Sequence, residues 1–397
     1  MLKLLFLFII GAEALSWLHI TDIHVDMKYK VGAPSECLIG TKLGTRCCRE
    51  TDIPLKGTEP CGKYGNFQND VPPYLVDSIF NWIQKNLKFD FIINTGDDGS
   101  HKDINQVFTQ DNLESINFVS EVLDKYWPTI PSYRVVGNHD AFPNVDQTFP
   151  GYENFLEETT KSWRKWIPDD NVSKYGYYSV DYNANIKIVV LNSLWYDTNN
   201  IFGINSSTSD VRTGCQFDWL KGQFENAVEN GQKIMFLNHI PIMGGESNIY
   251  TNENMIPILK KYTEHFLVIM NGHSHRNRFL LYQTQNQYIG YAMITGSIFT
   301  DNKYPTFRVY NYSNSVLDYD EYVCDIDMAE QTNNFECTFS YSFLKEYGVS
   351  NIDLDGVVDL YRRMKSNKTL LEIYKKHYSP PTVDEKEDYL GEILNVY

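Results

Sequence analysis

Side chains of the kinds that hold a hard or borderline cation recur along this sequence, each where an apolar run gives way to polar residues. They are Asp22 with His24, Asp97, Asn138, His239, and His273 with His275. Imidazole nitrogen with carboxylate or amide oxygen, and no thiolate, suits Zn²⁺, Mn²⁺ or Fe better than a thiolate-lined structural zinc site. Such a set is too large for one tetrahedral ion. It matches two ions about 3.5–4 Å apart that share a bridging carboxylate and keep positions open for water and substrate. Asp97, alone at its strand end, is the natural bridge. Two ions at that spacing suit in-line attack on phosphorus, because a shared water is acidified to hydroxide and both ions neutralise phosphate oxygens as charge builds. A phosphodiester also needs a proton for its departing alkoxide. His139, beside Asn138, is the first candidate acid, and His101 is the second, with capping of the next helix as its alternative role. Asp140 is expected, from adjacency alone, to hold the His139 ring. The isolated His19, His265 and His377 are read as structural.

The elements that must carry these groups are short apolar strands ending at one edge of a sheet. Leu15 to Ile20, Phe89 to Asn94, Tyr133 to Val136, Lys233 to Leu237 and Phe266 to Met270 each run straight into a candidate ligand. Residues two apart on a strand share a face, which would aim Asp22 with His24, and His273 with His275, at one cleft. Gly137 is expected to supply unusual backbone angles at the turn into Asn138. Helical patterns run from about Tyr74 to Asn86, up to about Tyr126, from Tyr152 to Trp166, Phe217 to Glu229 and Met255 to Tyr262. Tyr175 to Tyr182 and Ile186 to Asn192 flank Asn183-Ala184-Asn185 as a hairpin, and further strands fall near Phe279, Tyr288 to Ile294 and Phe307 to Tyr310.

At 397 residues, 42% hydrophobic and 22% charged, the chain is long enough and apolar enough for a large core. A net charge of −16 disfavours a nucleic-acid polymer as partner and suits an acidic compartment. Met1-Leu2-Lys3, the apolar run to Ile10 and Ala12-Glu13-Ala14 fit a secretory leader of residues 1–14, too short for a spanning helix. The polar stretch Glu385 to Tyr397 offers no tail for a lipid anchor. The expected product is secreted or lysosomal, with at most peripheral membrane contact, and monomeric. Export makes the cysteines a disulfide framework. Adjacent Cys47 and Cys48 would strain to bond each other, so the preferred pairs are Cys37–Cys47, Cys48–Cys61 and Cys324–Cys337, with Cys215 free. Sequons at Asn171, Asn205, Asn311 and Asn367 are candidate glycosylation sites. Residues 15–315 are expected to form the catalytic domain, including a disulfide-stapled loop over 31–69. Residues 316–397, where the texture turns helical, are expected to form a C-terminal subdomain packed on it.

The series Asp22-Ile23-His24, Gly96-Asp97, Gly137-Asn138-His139-Asp140, His239 and Gly272-His273-Ser274-His275 resembles the calcineurin-like metallophosphoesterase superfamily. Within it the chain is most similar to acid sphingomyelinase and the acid sphingomyelinase-like phosphodiesterases, through Cys47-Cys48-Arg49, His101 four residues after Asp97, Asn238-His239-Ile240-Pro241 and the Cys324/Cys337 pair. The resemblance implies an α/β fold, a four-layer α/β/β/α sandwich, with two zinc ions and phosphodiester hydrolysis. It assigns Asp22, His24, Asp97 and His275 to one ion, and Asp97, Asn138, His239 and His273 to the other, with His101 and His139 over the phosphate. Only the leader is expected to precede the strand that ends before Asp22, with no saposin-like segment. That points to a small phosphodiester, nucleotide or phospholipid head group as substrate, ahead of membrane sphingomyelin. The run after Gly96 lacks the arginine of phosphoprotein phosphatases and the tyrosine of purple acid phosphatases. A non-catalytic binding protein on the same fold is the competing reading from another class.

Overall fold

The computed structural model describes residues 14–39, 42–43, 46–101, 109–140, 152–198, 215–246, 249–285, 287–380 and 389–397. Two sheets carry the described chain. The first has six strands in the order Cys337–Ser342, Val316–Cys324, Thr306–Ser313, Leu15–Ile20, Phe91–Asn94 and Ser132–Arg134. Its last three strands are parallel, so Ile20, Asn94 and Arg134 all end at the same edge. The second has seven, in the order Leu394–Val396, Arg278–Thr284, Gln287–Ile294, Phe266–Asn271, Lys233–Leu237, Ile186–Val190 and Tyr178–Asn183. Phe266–Asn271, Lys233–Leu237 and Ile186–Val190 run parallel in it and likewise end together.

Alternation along the strands builds the layers. Leu18, Ile20 and Ile92 share one core with Leu75, Val76, Ile79, Phe80 and Ile83 of the helix Pro73–Asn86. Trp17, Phe91 and Ile93, on the opposite face, join a larger core with Ile188, Val190, Phe236 and Val268 of the second sheet. Phe224, from the helix Gln216–Glu229, meets Phe236 edge-on at 5.3 Å. Helix, sheet, sheet and helix therefore stack in that order, as the α/β sandwich requires. Each large side chain so buried contributes about 1.5–3 kcal/mol.

The disulfides Cys37–Cys47, Cys48–Cys61 and Cys324–Cys337 are formed, and Cys215 is a free thiol. Part of the stapled segment is more regular than a loop: Cys37–Ile39 pairs antiparallel with Lys42–Leu43 and with Ile53–Pro54. The expected helix from Tyr152 to Trp166 stops at Thr160 and tightens into a 3₁₀ turn over Lys161–Lys165. The expected helix from Met255 begins earlier, at Ile249, and accommodates Pro257 in its interior.

The largest difference lies beyond residue 315. The expected boundary falls inside the hairpin between Thr306–Ser313 and Val316–Cys324, at Asn314 and Ser315, whose φ angles are 52° and 65°. Val316–Cys324 then continues the same sheet and Cys337–Ser342 extends it, before the helices Leu354–Ser366 and Lys368–Tyr378 begin. Val316–Cys324 does alternate, with Leu317, Tyr319 and Glu321 inward. Acidic residues are poor strand formers, and one of them occupies an inward position, so the pattern does not look like a strand.

That inward Glu321 accepts from Arg308 Nε at 3.2 Å and from Asn277 Nδ2 at 2.9 Å. Burial outweighs the Arg308 charge and pushes the carboxyl up to about 7. A raised carboxyl holds its proton longer in the folded chain. The stability it contributes is therefore complete below the ordinary glutamate range and is lost as pH rises through about 7. Glu321→Gln should flatten the fall in denaturant midpoint between pH 4.5 and 7; an unchanged pH slope would refute this.

Candidate metal centre

The strands deliver their ligands just past their ends, by a different geometry from simple alternation. Asp22 and His24 follow Ile20, and His273 and His275 follow Asn271, all outside the ladders. Their φ angles are 48°, 48°, 71° and 57°, and that of Asp97 is 59°. Left-handed backbone at non-glycine residues costs roughly 1–3 kcal/mol each and persists only where the surroundings enforce it. Here backbone bonds enforce it: Asp22 N donates to Gly96 O at 2.8 Å, His24 N to Asp97 O at 3.0 Å, and Gly272 N to His239 O at 3.1 Å. Gly137 is not at a positive φ. It is required because a Cβ there would fall on Asp97 Oδ1 and the Asp97 amide, just as one at Gly272 would fall on Thr21 Oγ1.

The donor atoms converge in overlapping groups. Asp22, His24 and Asp97 form one, and Asp97, His239 and His273 another, each with its ligand atoms within 4.8 Å of one another. Asp97 belongs to both. His24 Nδ1 bonds Gly99 O at 2.9 Å, and His239 Nδ1 bonds Thr95 O at 2.7 Å. A carbonyl only accepts, so each Nδ1 carries the hydrogen and each neutral ring turns a lone pair inward at Nε2. His239 Nε2 then faces Asn138 Oδ1 at 2.8 Å and Asp97 Oδ2 at 3.1 Å. His24 Nε2 faces His275 Nε2 at 3.1 Å, and His275 Nε2 lies 3.4 Å from Asp22 Oδ1. Asp97 Oδ2 is buried with no hydrogen bond among the described residues.

Lone pairs pointed at carboxylate and amide oxygens require positive charge between them. The protein alone can answer only with protons. Although burial opposes it, Asp97 raises the His239 ring to about 10, and His239 in return holds the buried Asp97 carboxyl far below the usual range. A pair of divalent cations answers the same demand, and the donor set fits it.

Residues 15–277 match the calcineurin-like phosphoesterase family. The chain belongs to this family. Among its relatives, sphingomyelin phosphodiesterase A of Dictyostelium discoideum is 26% identical over 388 residues, covering 94% of this chain and 64% of that protein. Sphingomyelin phosphodiesterase B of the same organism is 24% identical over 382 residues, 91% of this chain and 59% of that protein. The chain thus spans about three fifths of the length of these two relatives. The cyclic GMP-AMP phosphodiesterase SMPDL3A of Rattus norvegicus is 24% identical over 398 residues, 93% of this chain and 85% of that protein.

The phosphoesterase cleft also gathers His101 and His139. Their rings lie 4.3 Å apart, and His101 stacks on His24 at 3.8 Å. Burial pushes both rings well below the usual imidazole range. His101 Nδ1 is held by the buried Asp70 Oδ1 at 2.7 Å, whereas His139 Nδ1 is buried with no hydrogen-bond partner among the described residues. Asp140 does not hold the His139 ring. Its carboxylate instead accepts from the amides of Gly137, Asp97 and Gly99 at 2.8, 3.0 and 2.9 Å, tying the two ligand loops together. Sequence reasoning missed Asp70, Asp301, which lies 3.7 Å from His275 Nδ1, and Glu246, which bonds His273 Nε2 at 2.6 Å. Each sits in an aperiodic stretch that gives no cue to its direction. Of the sequons, Asn311 and Asn367 are exposed, Asn171 is half-buried and Asn205 lies outside the described residues.

Proposed function

We propose that this chain is a metal-dependent phosphodiesterase that hydrolyses small phosphodiester or phosphoanhydride substrates. The observation that carries it is the convergence of inward lone pairs of His24 and His239 on the unbonded Asp97 Oδ2. Asp22, His24, Asp97 and His275 would hold one zinc ion, and Asp97, Asn138, His239 and His273 the other. When bound, the pair would supply an acidified water and positive charge for the phosphate oxygens. His139 and His101 stand over the same cleft, where either ring can hand a proton to the leaving oxygen; His139 has the leading role and Asp70 orients His101. Gly137 and Asp140 fix the register of the loop that carries Asn138.

A second reading is sphingomyelin phosphodiesterase proper, supported by relatives of that name that match more than nine tenths of the chain. Three disulfides support a secreted or lysosomal site of action, with glycans at the exposed sequons. No helix among the described residues is long and apolar enough to cross a membrane. The test is a panel of bis(p-nitrophenyl) phosphate, CDP-choline, nucleoside triphosphates, cyclic dinucleotides and sphingomyelin, with metal content measured in parallel. Soluble substrates should be cleaved, the activity lost on chelation and restored by zinc. Two bound metals with no turnover on any member would instead support a binding protein.

A further inference from the structure

The inner imidazoles are not all supported alike. The remote nitrogens of His24 and His239 are fixed by the backbone carbonyls of Gly99 and Thr95, inside the protein. His275 leans toward Asp301 at 3.7 Å, and Asp301 is itself gripped by Arg276 at 3.0 Å. His273 has the closer carboxylate. Its Nε2 is bonded at 2.6 Å by the carboxylate of Glu246, a side chain 46% exposed. Glu246 closes a turn that begins at Pro241 and passes through Gly244 and Gly245. A Cβ at Gly245 would meet nothing. The turn is pinned by Thr198 N, which donates to Glu246 O at 2.8 Å. Glu246 and His273 also line a cleft of about 410 Å³, walled on its far side by Arg278 and Glu392.

We infer that Glu246 is the positioning residue for His273, and that its carboxylate sets the affinity of the ion held by Asn138, His239 and His273. This rests on the metal-dependent reading above. The carboxylate takes the hydrogen bond of Nε2, which leaves the lone pair on Nδ1, the atom that lies 3.0 Å from Asn138 Oδ1. A negative partner both fixes the ring and strengthens its donor nitrogen more than a carbonyl does. The partner is also wet, since solvent reaches Glu246 while Gly99 and Thr95 are sealed.

The test is zinc stoichiometry and affinity by competition against a chromophoric chelator, which needs no catalysis. Glu246→Ala should weaken one equivalent by about 10–100-fold and leave the other at its wild-type affinity. Glu246→Gln, which keeps an acceptor oxygen without the charge, should fall between. In a His273→Ala background, Glu246→Ala should add nothing. Wild-type affinities for both equivalents in both variants, or additive losses in the double variant, would overturn the inference. A wild-type chain that binds no zinc would overturn the metal reading itself and carry this one down with it. Thermal midpoints of the metal-free proteins should coincide, separating a local ligand effect from a folding defect.

Discussion

His239→Ala empties the half of the centre that it shares with Asn138, and turnover falls by on the order of 10³-fold or more, the equivalent of about 4 kcal/mol. The ring is fully buried, its Nδ1 locked on Thr95 O, and its Nε2 faces both Asp97 and Asn138. His139→Ala is the necessary contrast. That residue touches the centre through its backbone, since its amide donates to Asp97 Oδ1 at 2.8 Å and its ring has no partner at Nδ1 among the described residues. Its removal should lower kcat by about 10²–10⁴-fold, the span of a general acid, with metal content near wild type. Elemental analysis beside kinetics separates the two. Equal metal loss in both variants would remove His139 from its proton-transfer role.

Gly137→Ala should be nearly as damaging without touching a ligand. The new methyl would have to occupy the place of Asp97 Oδ1 and the Asp97 amide, neither of which can yield. Asp97 N is held by Asp140 at 3.0 Å, and Gly137 N by the same carboxylate at 2.8 Å. Overpacking of this kind costs about 1–3 kcal/mol, and displacement of the bridging carboxylate would weaken both ions together. A lowered denaturant midpoint with loss of both metal equivalents is the expected result; intact stoichiometry would show that the two loops can separate. Gly245→Ala, in open space, is the control that should leave both quantities unchanged.

These contrasts mark how far the sequence could be read. Residue types and their fall at strand ends were enough to bring Asp22, His24, Asp97, Asn138, His239, His273 and His275 into one cleft, because cation-binding chemistry restricts the choice of side chain. The means of convergence was not legible. Alternation predicted that Asp22 and His24 share a face, yet they do so through left-handed turns beyond the strand, enforced by loops distant in sequence. Adjacency likewise placed Asp140 on the His139 ring, whereas a short carboxylate found nearer amides. Glu246 and Asp70 were invisible because a supporting contact depends on the path of an aperiodic loop. The strand Val316–Cys324 was hidden by its own acidity, which Arg308, Asn277 and Tyr341 make tolerable at Glu321.

The cross-linked segment reaches into the cleft although none of its cysteines does. Asn69 Oδ1 accepts from the Cys47 amide, and the next residue, Asp70, is the one that steadies His101. Arg46, on the other side of Cys47, lies 3.6 Å from the same carboxylate and over the Phe299 ring that borders His24, His101 and His275. A thiol reductant would therefore disarm a reaction in which sulfur takes no part, by letting one imidazole lose its orientation. Activity is therefore expected to depend on conditions that keep cystine intact.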